Sequence, residues 1–157
     1  MKKIFLMLAL IATAFTKNSF AQDSIKAQPS QLLTSYYQLK DNMVKGNATN
    51  AAASAGELAK AINGTDKQTV NQSTANILLS DANAIAQSTD IKLQREKFAT
   101  LSNKMFELAQ KVKLSPDPIY QQYCPMKKAS WLSNDKAIKN PYYGNAMLTC
   151  GSVKTTL

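Results

Sequence analysis

The chain has no histidine. Without an imidazole there is no Ser-His or Cys-His catalytic pair and no histidine-containing zinc or Cu(II) site. No general base is visible among the other side chains, so the sequence reads as non-enzymatic. Cysteine is scarce: Cys124 and Cys150 are the only two, and they do not have the Cys-x-x-Cys spacing of dithiol oxidoreductases. There is no Gly-rich phosphate loop and no internal repeat, and biased composition is confined to the alanines of residues 51–55. Acidic residues are few, 10 against 19 basic ones. The lysines are scattered singly between apolar positions, as on a solvated helical surface. A nucleic-acid footprint needs a clustered stripe, so no nucleic-acid partner is expected, while weak attraction to acidic partners or an anionic membrane face is compatible with the charge.

Long apolar runs are missing after the N-terminus. Met1-Lys2-Lys3 is a basic start, residues 4–15 are apolar, and Ser19 and Ala21 are the small residues at −3 and −1 of a cleavage site. About a dozen apolar residues cannot span a hydrocarbon core of about 30 Å as a helix. The expectation is a signal peptide over residues 1–21, export to the periplasm, and no transmembrane segment after cleavage. Removing 21 of the 157 residues leaves 136, and the basic excess falls from nine to six with Lys2, Lys3 and Lys17 gone. That length supports one core, with a small appended lobe.

Residues 22–28 read as a polar, disordered lead-in, and residues 29–114 as four amphipathic helices. Pro29 suits a first helical turn. Leu32, Tyr36, Leu39 and Met43 then share a face until Gly46, behind Lys45, stops the helix. Asn47 caps a second helix whose face is Ala51, Ala55, Leu58, Ala59 and Ile62, small residues that let a neighbour approach closely. Thr65 with Gln68 forms a capping box for a third helix carrying Val70, Ile77, Leu78, Ala84 and Ile85. Thr89 or Asp90 caps a fourth, in which Ile91, Phe98, Met105 and Val112 recur every seven residues with Leu101 and Leu108 between, ending by Pro116. Connections of two to four residues imply an up-and-down four-helix bundle. Met43, Phe98, Met105 and Phe106 fall at core spacing and read as packing. The Asn-x-Ser/Thr matches at Asn47, Asn63 and Asn71 read as cap and turn chemistry.

Residues 115–157 are different in kind. After Ser115-Pro116-Asp117-Pro118, residues 119–123 alternate as a short strand, and residues 120–151 hold both cysteines, the only tryptophan and four of the six tyrosines. Pro125, Asn140-Pro141, Gly144 and Gly151 rule out a continuous helix there. The expected fold is therefore mainly α: a four-helix bundle with a small C-terminal Cys/Met lobe of turns and short strands, anchored by Trp131 and Leu132 and leaning on the bundle.

The run Tyr123-Cys124-Pro125-Met126, Trp131-Leu132-Ser133, Ile138, Asn140-Pro141-Tyr142-Tyr143-Gly144, Met147 and Cys150-Gly151 resembles the signature of a bacterial periplasmic domain-of-unknown-function family. Members of that family also occur as the C-terminal module of periplasmic adaptor (membrane-fusion) subunits of copper and silver efflux pumps. The resemblance implies a link to heavy-metal efflux, a periplasmic efflux adaptor or pump component as partner, and a supporting role for Trp131, Asn140, Pro141, Tyr142, Tyr143 and Gly144. A related motif in efflux adaptors is Cys-Pro-Met-His-Pro. Here Lys127-Lys128 follows Cys124-Pro125-Met126, so the imidazole is absent, and two ammonium groups that lower thiolate pKa also repel a cation.

Three uses of the sulfurs stay open. Cys124 and Cys150 form a disulfide in the exported protein, closing a loop that stabilises the lobe by about 3–4 kcal/mol. Or they stay reduced and, with Met126 and Met147, ligate Cu(I) or Ag(I), since soft monovalent ions prefer thiolate and thioether donors. In that case Trp131 lies over the ion, or else is a buried anchor whose indole N–H finds a carbonyl. Or the pair is a redox centre. The functional expectation is an exported protein that binds Cu(I) or Ag(I) near an efflux system. The alternative is a structural or protein-interaction module stapled by a Cys124–Cys150 disulfide.

Overall fold

The computed structural model describes residues 30–157. The expected signal peptide and lead-in lie outside the described residues, as does Pro29. Four helices come first: α1 (Gln31–Lys45), α2 (Ala48–Gly64), α3 (Gln72–Ala86) and α4 (Ile91–Ala109). Three strands follow, β1 (Tyr120–Cys124), β2 (Ala129–Ser133) and β3 (Ser152–Thr156), with a single 3-10 turn over Gly144–Met147 before the last. The protein is mainly α with a small antiparallel sheet, in the order β2-β1-β3.

Most helix ends follow from local chemistry. The Ser30 hydroxyl accepts from Leu33 N–H, and Gly46 ends α1 in the left-handed conformation at φ 68°. Asn47, Asn71 and Asp90 cap α2, α3 and α4 through their side-chain oxygens, so two of the three Asn-x-Ser/Thr asparagines are caps. The third helix does not start at the Thr65/Gln68 box. Thr65 instead closes α2, its hydroxyl donating to Ala61 O at 2.7 Å, and Asp66 accepts from Gln68 and Thr69 N–H to make a separate turn. Val70 is buried ahead of α3, and the α2–α3 connection runs over residues 65–71, longer than the expected two to four. A hydroxyl three residues before an amide fits either end of a helix, and here the exposed α2 carbonyl took it. Helix α4 ends at Ala109, so Val112 caps the core from a turn rather than from the helix.

Each helix lies against the next in the chain, and the alanine face of α2 packs between α1 and α3. Helices α1 and α4 do not close the ring by direct approach of their backbones. Strand β2 lies against α4 and α1 and fills that side. The buried side chains of helices and sheet form one cluster, including Leu32, Tyr36, Leu58, Leu78, Phe98, Leu101, Met105, Trp131, Leu132 and Tyr142. Each such large apolar side chain contributes about 1.5–3 kcal/mol by leaving water. Met43, Phe98 and Met105 are fully buried and Phe106 partly so, as packing requires.

An aromatic train joins the two parts. Tyr37 packs edge-on to Tyr36, Tyr36 stacks on Phe98 at 5.4 Å, Phe98 meets Tyr142 at 6.0 Å, and Tyr142 meets Trp131 edge-on at 5.9 Å. Two tyrosine hydroxyls then hold β2 by its backbone. Tyr36 accepts from Leu132 N–H at 3.0 Å, and Tyr142 donates to Ser130 O. This explains how a lobe with so little apolar surface of its own stays ordered.

Candidate functional site

The hairpin of β1 and β2 brings Cys124 opposite Ala129, and β3 pairs with the other side of β1, Ser152 opposite Tyr123. Pairing Ser152 with Tyr123 places Cys150, two residues earlier, beside Cys124. The two sulfurs are 3.5 Å apart. Both cysteines are free, so the disulfide expected as one alternative is not formed. A disulfide needs about 2.05 Å between sulfurs, and at 3.5 Å one thiol donates a hydrogen bond to the other instead.

The two thiols differ. Cys124 is covered by the turn that follows it, whereas Cys150 is half-exposed. Burial acts to raise the Cys124 pKa. Lys127 N–H, the Asn140 amide, the Cys150 thiol and Met126 N–H outweigh it, so Cys124 ionises below the ordinary thiol range. Cys150 moves the other way, because its hydrogen bond to Cys124, partial burial and the charge of the Cys124 thiolate all favour its proton. The two thiols thus differ in acidity, Cys124 being the readier of the pair to ionise, across a single 3.5 Å contact.

Asn140 holds this arrangement. It is fully buried, its amide donates to Cys150 O at 2.8 Å, and its side-chain oxygen accepts from Tyr142 N–H at 2.8 Å. Asn140 N–H donates to Leu148 O at 2.8 Å and Gly144 N–H to Asn140 O at 3.0 Å, which folds residues 140–150 into one compact loop. Pro141 and Gly144 are buried and Tyr143 is half-buried. Gly144 has φ 57°, and a Cβ there would lie 2.7 Å from Val44 O, so the loop sits directly on the end of α1.

Trp131 is buried below Gly151, whose missing Cβ would lie 2.9 Å from the indole Cη2. It is an anchor, but its N–H has no partner among the described residues, contrary to the expected carbonyl contact. Met126 and Met147 sit on the exposed turns next to the thiols in the chain, with Lys127 N–H donating to the Cys124 sulfur at 3.5 Å and Met147 O accepting from Cys150 N–H at 3.1 Å. Their side chains are open to solvent, 63% and 39% exposed. The fold therefore joins the cysteines, and Met126 and Met147, two and three residues from them in the chain, are exposed.

Several residues that matter here carry no motif. Arg95 of α4 donates from Nε to Pro141 O and from Nη2 to Met43 O, both at 2.9 Å, pinning the loop to the C-terminus of α1. That it is the sole arginine in the chain was the one signal available. Gln122, buried in β1, donates to Asp135 O at 2.8 Å and ties residues 134–138 over the sheet. Ser102 shares a 2.7 Å hydrogen bond with Tyr36 from within the helical core.

The fold and the thiol pair define a small helical protein with a thiol-bearing C-terminal sheet. A family model described as a protein of unknown function (DUF3347) matches residues 32–117, and the chain belongs to that family. The match runs from the second residue of α1 through α4 and ends before β1, so the C-terminal signature lies beyond it. No curated protein and no solved structure matches the chain. No helix among the described residues is long and apolar enough to cross a membrane.

Proposed function

We propose that the protein is a non-catalytic periplasmic carrier that binds Cu(I) or Ag(I) at Cys124 and Cys150, with Met126 and Met147 completing the ligand set, in the service of heavy-metal efflux. The observation that carries this reading is the 3.5 Å separation of two unbonded sulfurs, one of them held toward thiolate by N–H donors. Metal–thiolate bonds of about 2.3 Å let a single ion touch both sulfurs at this distance. The donor set is soft throughout, which favours monovalent copper or silver over the oxygen-seeking divalent ions. Export, expected from the N-terminus, and the signature of residues 120–151 supply the periplasmic and efflux parts of the reading.

The reading is tested by titrating the reduced protein with Ag(I), and with Cu(I) against a chromophoric competitor. Cys124→Ser/Cys150→Ser is expected to weaken binding at least a hundredfold. Met126→Leu/Met147→Leu is expected to weaken it about tenfold. Wild-type affinity in the cysteine variant would end the proposal.

A further inference from the structure

The C-terminal lobe carries most of its lysines toward one end, with Lys136 the exception. Strand β1 runs toward Cys124 and β2 returns from Ala129, so the sheet has a thiol end and an opposite end. Lys127 and Lys128 lie in the turn at the thiol end. Lys154 lies two residues after Ser152, which pairs with Tyr123, and its ammonium sits over the Tyr123 ring at 5.5 Å. Lys139 adjoins Asn140, which bonds Leu148. The two carboxylates of the lobe are at the other end: Asp117 precedes β1 and Asp135 follows β2.

None of these four ammonium groups has a carboxylate partner, because the ion pairs among the described residues are all on the helices. Apolar side chains near these lysines in the chain also face water: Met126, Met147, Leu148 and Val153. Methionine-rich apolar centres with charged rims are the anatomy of protein interfaces. A free monovalent cation, by contrast, approaches this end against four like charges.

From this placement we infer that the thiol end is a docking face for an acidic protein that delivers or collects the metal within its own ligands. The cargo then crosses the lysine rim inside an anionic partner, and Met126, Met147 and Leu148 make the apolar contact. The inference rests on the metal reading above and adds the chemistry of the partner.

The test uses the reduced full chain and two synthetic Met-x-x-Met peptides loaded with Ag(I), one flanked by glutamates and one by lysines. Transfer from the glutamate peptide is expected to be at least tenfold faster at low salt, with the gap closing as salt rises. In Lys127→Glu/Lys139→Glu, transfer from the glutamate peptide should slow about tenfold while capture of free Ag(I) speeds up. Lys136→Glu, at the far end beside Tyr120, should change neither rate. Equal rates from both peptides overturn the inference. So does a charge-reversal effect seen only on binding to phosphatidylglycerol vesicles, which would make the face a membrane site. If the protein takes Ag(I) from no source, the metal reading fails by itself. The docking face is then judged on the metal-free glutamate peptide, which must shift the Met126 and Met147 methyl resonances; no shift removes it.

Discussion

The Tyr36 hydroxyl accepts a hydrogen bond from Leu132 N–H at 3.0 Å across 96 residues of chain, and the same oxygen shares a 2.7 Å bond with Ser102. One buried hydroxyl thereby joins α1, α4 and β2. Burial raises the Tyr36 pKa well above the usual phenol range, so it stays a neutral donor and acceptor at any physiological pH.

Tyr36→Phe keeps the ring stacked on Phe98 but leaves Leu132 N–H and Ser102 without their partner. The expected cost is about 1–3 kcal/mol in denaturant unfolding. Amide exchange should locate it, with protection lost at Leu132 and across β2 more than in α2 or α3. Uniform loss across all four helices would mean that the bond is not what fastens the sheet.

Gly144 and Arg95 meet at the other fastening. Gly144→Ala puts a Cβ 2.7 Å from Val44 O and 2.9 Å from Arg95 Nη2, at a left-handed φ. Displacing the loop should cost about 1–3 kcal/mol. Arg95→Lys should also destabilise, since a single ammonium cannot span Pro141 O and Met43 O. Thermal melts of both variants check this, and an unchanged midpoint in either would contradict the contact.

The thiols should titrate in two separate steps. In reduced, metal-free protein, thiolate absorbance near the ultraviolet edge is expected to rise once below the ordinary thiol value of about 8.5 and once above it. The stability consequence has a definite sign. With its folded pKa depressed, Cys124 adds stability as pH rises from that value to about 8.5, because the unfolded chain binds the extra proton. With its folded pKa raised, Cys150 removes stability as pH climbs from about 8.5 through its folded value. The contribution of the pair therefore peaks near pH 8.5. A single step in the absorbance, with both thiols ionising together at the ordinary value, would show that the N–H donors leave Cys124 unaffected.

Asn140→Ala removes the donor to Cys150 O, the acceptor of Tyr142 N–H and one of the groups that lower the Cys124 pKa. The Cys124 pKa should return upward, and stability should fall by about 2–4 kcal/mol as buried groups lose their partners. The absorbance titration and a urea curve read the two effects independently. A destabilised variant with an unmoved first step would make Asn140 purely structural.

Peroxide should distinguish the methionines. Met126 and Met147 are exposed while Met43 and Met105 are fully buried, so the first two should oxidise far faster in the folded protein. Saturating Ag(I) is expected to protect them if their thioethers ligate it. Peptide mass spectrometry after a timed exposure measures both, and unprotected Met126 and Met147 would take the thioethers out of the ligand set.

Much of this architecture was written in short-range chemistry. Periodic apolar positions placed the four helices, and Gly46, Asn47 and Asp90 marked their ends, because caps and left-handed turns depend on residues only a few positions apart. Thr65/Gln68 misled because the same hydroxyl can serve either terminus, and only the surrounding chain decides which carbonyl or N–H is left free. The strand character of residues 119–123 was legible, and so was the need for a lobe this small to lean on the helices. Its partners in β2 and β3 were not, since register depends on pairing across distant segments.

What tertiary structure alone decided is the state of the sulfurs and the way the lobe is fastened. Composition put two cysteines and two methionines in one stretch, but the pairing of β3 with β1 sets the sulfurs at 3.5 Å, and N–H groups from Lys127, Met126 and Asn140 make the two thiols unequal. Tyr36, Ser102 and Arg95 lie far from that stretch in sequence, on helices whose periodicity explained only their apolar faces. Hydrogen bonds from a buried hydroxyl or guanidinium depend on where a second segment's backbone happens to lie, and that position exists only once the whole chain has folded.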